Sequence, residues 1–268
     1  MKKIIKITIN TCLALYFLAT LALFFLQRSM VFVPNINVPN IEIAQMPALE
    51  ILHIPTEDDL LLLSWYKPAD KDYPTILYFQ GNAGNLETQS HLTLPIYNSP
   101  FGLLMVEYRG YGGNEGEPSE TGFYKDGRAG LKYLNNLGIK NKEIILYGRS
   151  LGTGTATQMA TEIEARGLIL QAPFTAIYAV GEEQYPLFPI KLLARDKFDS
   201  LSKIKSVTEP LLIFWGDKDK TVPPHMPAEL FEAANNPKQK LIILGGGHSD
   251  IFDKGGNEAV MSFLEELY

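Results

Sequence analysis

Residues 143–154 read Glu143-Ile144-Ile145-Leu146-Tyr147-Gly148-Arg149-Ser150-Leu151-Gly152-Thr153-Gly154. The four apolar residues Ile144 to Tyr147, stopped by glycine, have the length and side-chain type of a short buried strand. After Gly152 the period changes, and Thr153 to Ala165, rich in Ala, Thr, Met and Glu, reads as a helix. Ser150 therefore sits on a sharp strand-to-helix turn. Side chains two residues either way would collide with the crossing backbone, so Gly148 and Gly152 relieve the crowding and the turn presents a hydroxyl.

Outward from that turn the chain alternates. Leu49–Ile54 and Leu60–Tyr66 read as two neighbouring antiparallel strands. Short apolar runs follow at Thr75–Phe79, Leu103–Glu107, Ile144–Tyr147, Gly167–Gln171, Leu211–Trp215 and Lys240–Leu244. Helical stretches at Glu120–Asn136, Thr153–Ala165, Pro227–Ala234 and Gly256–Leu267 lie between or after them. Near-continuous apolar strands separated by helices predict an α/β fold with a mostly parallel central sheet flanked by helices on both faces. With 268 residues, 46% of them hydrophobic, the chain suffices for one large core plus an N-terminal appendage. A formal net charge of -6 argues against general affinity for nucleic acid. The single cysteine, Cys12, excludes an internal disulfide.

In such a sheet reactive groups gather in the loops at the carboxyl ends of strands. The loop after Leu211–Trp215 carries two carboxylates, Asp217 and Asp219, in Gly216-Asp217-Lys218-Asp219-Lys220-Thr221-Val222-Pro223. The loop after the last strand carries Gly245-Gly246-Gly247-His248-Ser249-Asp250. A serine hydroxyl becomes a useful nucleophile when an imidazole removes its proton, and the imidazole needs a carboxylate to fix its tautomer. Ser150 and His248 with one of the two aspartates meet that need, in the chain order of an α/β-hydrolase. His53, His91 and His225 fall in an early strand, after a loop and at a helix start, and read as structural. The segment Phe79-Gln80-Gly81-Asn82-Ala83-Gly84-Asn85 follows the third strand, where its glycines let backbone N–H groups approach a substrate oxygen. The N–H of Leu151 at the helix start is a second donor for a developing oxyanion. Two carboxylates interleaved with lysines make a poor metal site, so neither a metal nor a cofactor is expected.

Seven ordered motifs, "QRSMVFVP", "YFQGNAGN", "VEYRGYGGNEGEPSE", "YGRSLGTGTA", "QAPFTA", "GDKDKTVP" and "GGGHSD", resemble the membrane-anchored α/β-hydrolase-domain family of serine hydrolases. The resemblance runs over nearly the whole chain. It implies the α/β-hydrolase fold, the triad acid at Asp219 through the pattern G-x-x-D-x-x-V-P, and an oxyanion donor at Asn82. One departure is Gln80, where the family usually has histidine. The expected activity is cleavage of a carboxylic ester or thioester in a small acyl-containing or lipid-like substrate, through an acyl-enzyme. A peptidase or amidase and a non-catalytic binding scaffold are the alternatives.

The appendage begins with Lys2, Lys3 and Lys6, after which Ile7 to Gln27 holds no charge and Arg28 closes the run. Twenty helical residues reach about 30 Å, enough to cross a bilayer's hydrocarbon core. A cleaved signal peptide shares this start, yet Leu26 to Met30 offers no small-x-small site. The expected organisation is a single transmembrane signal-anchor at 1–30, a connector at 31–48 and a hydrolase domain at 49–268 with a small cap at about 175–204. The lysine excess before the run predicts a cytoplasmic N-terminus and a catalytic domain on the other side. Phe174, opening the cap insert, is a candidate pocket wall.

Overall fold

Eight strands form one sheet, in which the six inner strands are apolar runs buried on both faces and the two edge strands are partly exposed. In the computed structural model, which describes residues 1–268, they are β1 (Glu50–Pro55), β2 (Leu61–Lys67), β3 (Thr75–Phe79), β4 (Gly102–Val106), β5 (Ile144–Arg149), β6 (Gly167–Gln171), β7 (Leu211–Gly216) and β8 (Lys238–Ile243). Their order across the sheet is β8-β7-β6-β5-β3-β4-β2-β1. β2 runs antiparallel to both β1 and β4, and every other pairing is parallel. The sequence reading places every one of these strands to within a few residues at each end. The main helices are α1 (Lys2–Val31), α2 (Glu120–Asn136), α3 (Gly152–Ala160), α4 (Ile177–Gln184), α5 (Ile190–Leu193), α6 (His225–Ala233) and α7 (Asn257–Glu266).

Alternation along each strand divides the core into two layers. Ile144 and Leu146 of β5 join the layer covered by α2, α3 and α6, with Phe123, Met159 and Leu230. Ile145 and Tyr147 join the opposite layer, which α7 closes with Val260, Phe263 and Leu264. The sheet order changes direction around β3, which has β4 on one side and β5 on the other. The loops leaving β3 and β5 are therefore neighbours at the carboxyl edge, the position where open α/β sheets bind ligands. Register sharpens this, because Phe79 at the end of β3 pairs with Gly148, two residues before Ser150.

Helix α1 has 30 residues and no buried side chain, and its most apolar window has a mean hydropathy of 2.1. Residues 31–48 run over the hydrolase domain. Phe32, Ala44 and Met46 are buried, and Val33–Pro34 pairs in parallel with Ala83–Gly84 beside the loop after β3. The insert between β6 and β7 carries α4, α5 and a single turn at Ser200–Lys203, a cap of the modest size that its length allows.

Candidate active site

Ser150 adopts φ +48, a left-handed conformation that costs a non-glycine residue on the order of 1–3 kcal/mol and is typical of functional turns. Its N–H donates to the Gln171 carbonyl at 2.8 Å, which ties the turn to the end of β6. A Cβ on Gly152 would lie 2.1 Å from the Phe79 carbonyl oxygen, and one on Gly148 would lie 2.5 Å from the Gly152 oxygen. The atoms a Cβ would strike are backbone atoms, so no rotamer change could relieve the contact. Glycine at both places lets α3 start directly under β3.

The loops after β7 and β8 bring their side chains to this turn. Ser150 Oγ lies 2.9 Å from His248 Nε2, and His248 Nδ1 lies 2.7 Å from Asp219 Oδ2. The other oxygen of Asp219 accepts from the N–H groups of Thr221 and Val222, at 2.8 and 2.9 Å. Asp219 is thus aimed by its own loop, with 1% of its side chain exposed, while 15% of the His248 side chain is exposed. Asp217 is turned elsewhere: its carboxylate accepts from the Gly245 N–H at 2.6 Å and links the loops after β7 and β8. His53 lies in β1, His91 in a single turn after the β3 loop, and His225 at the start of α6, 3.5 Å from Glu183 on the surface. None of these three joins the cluster.

The loop after β3 is braced from several sides. The Gly81 N–H donates to Gln89 Oε1 at 3.1 Å, and that oxygen also accepts from Arg149 at 3.0 Å. The Asn82 carbonyl accepts from the Tyr111 hydroxyl and from the Val33 N–H, at 2.8 and 2.9 Å. With their other groups fixed, the N–H groups of Asn82 and Leu151 donate to nothing in the chain. Both residues line the cavity that contains Ser150. Gln80 is wholly buried and its amide nitrogen donates to Glu107, whose second oxygen accepts from the Leu86 N–H at 2.8 Å. Glu107 is buried without a cation, and that desolvation pushes its carboxyl up to about 8. Sequence reasoning missed Gln89, Glu107 and Tyr111 as braces, because no spacing pattern marks a residue that serves a loop 8 to 29 positions away.

A cavity of about 190 Å³ extends from Ser150 between the cap and the domain. Phe174 is in its wall, together with Ile177, Val180 and Ile190 of the cap. Four residues from the end of α1, Leu23, Gln27, Met30 and Val31, are also part of the lining. The sequence reading assigned no pocket residue to this helix. Gln27 exchanges hydrogen bonds with the Leu193 carbonyl and the Arg195 N–H, at 3.1 and 2.7 Å. Arg28 pairs with the buried Asp196 at 2.8 Å. No three His, Cys, Asp or Glu side chains converge so as to hold a metal ion.

The chain is similar to known proteins in sequence and in fold. The alpha/beta hydrolase fold family matches residues 180–255. An uncharacterized protein of Mycobacterium tuberculosis is 32% identical over 246 residues, spanning 90% of this chain and 88% of that protein. The human alpha/beta hydrolase domain-containing protein 17B is 30% identical over 197 residues, 72% of this chain and 64% of that protein. For WAV2 of Arabidopsis thaliana, an alpha/beta hydrolase domain-containing protein, the identity is 29% and the shares are 81% and 79%. Among solved structures, an esterase of Pyrococcus furiosus superposes with a TM-score of 0.72 at 20% identity, covering 88% of this chain and 98% of that one. Sheet order, sharp serine turn and relatives along most of the length agree that the chain belongs to the α/β-hydrolase family.

Proposed function

We propose that the protein is a serine hydrolase that cleaves a carboxylic ester or thioester through an acyl-enzyme. The observation that carries the reading is the unbroken relay from Ser150 Oγ to His248 Nε2 at 2.9 Å and from His248 Nδ1 to Asp219 at 2.7 Å. His248 takes the hydroxyl proton as Oγ attacks the acyl carbon, and Asp219 holds the ring in the tautomer that leaves Nε2 free to accept. The developing oxyanion is held by the N–H groups of Asn82 and Leu151, the second at the positive end of α3. His248 then protonates the departing alcohol or thiol, and a water molecule, deprotonated by the same ring, releases the acid and restores Ser150.

The same reading takes α1 as an uncleaved signal-anchor with Lys2, Lys3 and Lys6 on the cytoplasmic side and the hydrolase domain on the other. It is supported by apolar side chains left open along the helix, such as Leu13 and Phe17, which water would not tolerate as a contiguous surface. The triad is tested with a fluorophosphonate probe, which should label the wild-type protein and fail on Ser150→Ala with the fold unchanged by circular dichroism. Equal labelling of the two proteins would remove Ser150 from the role.

A further inference from the structure

Helix α1 does more than tether. We infer that its cap-facing stripe is one wall of an acyl-chain site open to the bilayer, and that the substrate is a long-chain fatty-acyl ester of the membrane, entering sideways along α1. The inference rests on the serine-hydrolase and anchor readings above.

The stripe is visible in the residue spacing. Tyr16, Thr20, Leu23, Gln27 and Met30 recur at helical intervals of three and four, so they share one face of α1. That face meets the cap along its length. At the upper end Gln27 is bonded to Leu193 and Arg195, and Leu23, Gln27, Met30 and Val31 border the cavity that leads to Ser150. At the lower end the Tyr16 hydroxyl donates to the Leu187 carbonyl at 2.9 Å, and its ring stacks on Phe188 with centroids 5.3 Å apart. Gln27 lies eleven helical steps beyond Tyr16, about 16 Å along the axis. Half of a hydrocarbon core is about 15 Å thick. A helix that spans the bilayer therefore carries the cap's tip into one leaflet.

The cap's own surface agrees with that depth. Leu187 is 80% exposed and Leu192 is 84% exposed, side chains that would be unfavourable in water and neutral in lipid. The cavity between α1, α4 and α5 is lined mainly by aliphatic and aromatic side chains, and its free backbone donors lie at the Ser150 end. This polarity matches an acyl chain, apolar along its length and polar at the carbonyl. A chain that slides from the leaflet into this cleft keeps its methylenes out of water throughout, and its carbonyl arrives beside Ser150.

The test uses the full-length protein in phosphatidylcholine nanodiscs. Hydrolysis of 4-methylumbelliferyl palmitate dissolved in the bilayer is compared with hydrolysis of the water-soluble acetate. Leu23→Trp and Met30→Trp, which fill the cleft from α1, should each lower the palmitate-to-acetate ratio of kcat/KM at least tenfold. Phe25→Trp, on an open face of the same helix, should leave the ratio at the wild-type value. An unchanged ratio in both cleft variants, with fluorophosphonate labelling intact, overturns the α1 wall alone. Wild-type protein that neither takes the probe nor hydrolyses the acetate overturns the hydrolase reading, and this inference with it. Immersion of the cap has its own readout in Leu192→Trp, at an open position where the fold tolerates the change. Its fluorescence should be quenched by phosphatidylcholine brominated on the acyl chains, and absence of quenching overturns bilayer access.

Discussion

Two carboxylates only two positions apart on one loop are set apart by the atoms each one meets. Asp219 is held by two backbone N–H groups and touches His248, whereas Asp217 touches Gly245. Asp219→Asn should lower kcat by roughly 10⁴-fold, as the loss of a triad carboxylate does when it leaves the ring in the wrong tautomer. Asp217→Asn keeps an oxygen that can accept from Gly245 and should change kcat less than threefold, so parallel kcat measurements separate the two. A second residue-scale effect comes from Glu107, whose carboxyl is raised to about 8 by burial. Between its unfolded value near 4.3 and about 8 the folded chain keeps a proton that the unfolded chain has released. The unfolded state then binds fewer protons, so this group's contribution to stability falls as pH rises through that window. Glu107→Gln removes the titration while keeping an acceptor for the Leu86 N–H. Thermal melts from pH 5 to pH 9 should show the variant gaining on the wild type as pH rises, with the difference levelling off above about 8.

At the scale of elements, the turn that carries Ser150 is a crossing of α3 over the end of β3 at a distance only glycine allows. A Cβ at Gly152 would press on the carbonyl oxygens of Phe79 and Gln80, at 2.1 and 2.5 Å. Gly152→Ala must push α3 away from β3, an overpacking cost of about 1–3 kcal/mol or more. It also separates the Leu151 N–H from the Asn82 N–H across the cavity. A lowered urea midpoint together with slower fluorophosphonate labelling is the expected pair of results, and wild-type labelling would show that this spacing is not needed. This turn was legible in the sequence because its constraint is local: two glycines, a strand and a helix within a dozen residues. The alternating strands were legible for the same reason, and the motif G-x-x-D-x-x-V-P singled out Asp219 where charge alone left Asp217 equal. Other boundaries slipped. Helix α3 ends at Ala160, short of the expected Ala165, since Thr161, Glu162 and Ile163 turn the chain toward β6. What stayed hidden were the long-range braces, Gln89, Glu107 and Tyr111, and the cleft residues of α1, whose partners are set by packing between segments far apart in the chain.

For the whole molecule, the consequence is that α1 and the hydrolase domain are joined without slack. The proline- and asparagine-rich composition of residues 31–48 reads as a connector, with Pro34, Pro39 and Pro47 spaced along it. Yet Phe32 immediately enters the core, with ring centroids 5.2 Å from Phe123 and 6.4 Å from Phe198. The next residues reach the loop after β3: Val33 donates to the Asn82 carbonyl at 2.9 Å, and the Asn82 side chain donates to the Val31 carbonyl at 3.2 Å. The chain leaving α1 thus sets the position of the very residue whose N–H faces the cavity. Truncating Phe32 to alanine should cost about 3–5 kcal/mol, the range for a buried aromatic ring. The vacated space also loosens Val31 and Val33 against Asn82, so kcat for a short ester should fall even where the protein is still folded. Phe25→Ala, on an open face of α1, should change neither. Urea unfolding in detergent micelles, with ester kinetics well below the unfolding transition, distinguishes the outcomes. Equal behaviour of the two variants would mean that the segment after α1 is a passive tether and that the loop after β3 holds its position without it.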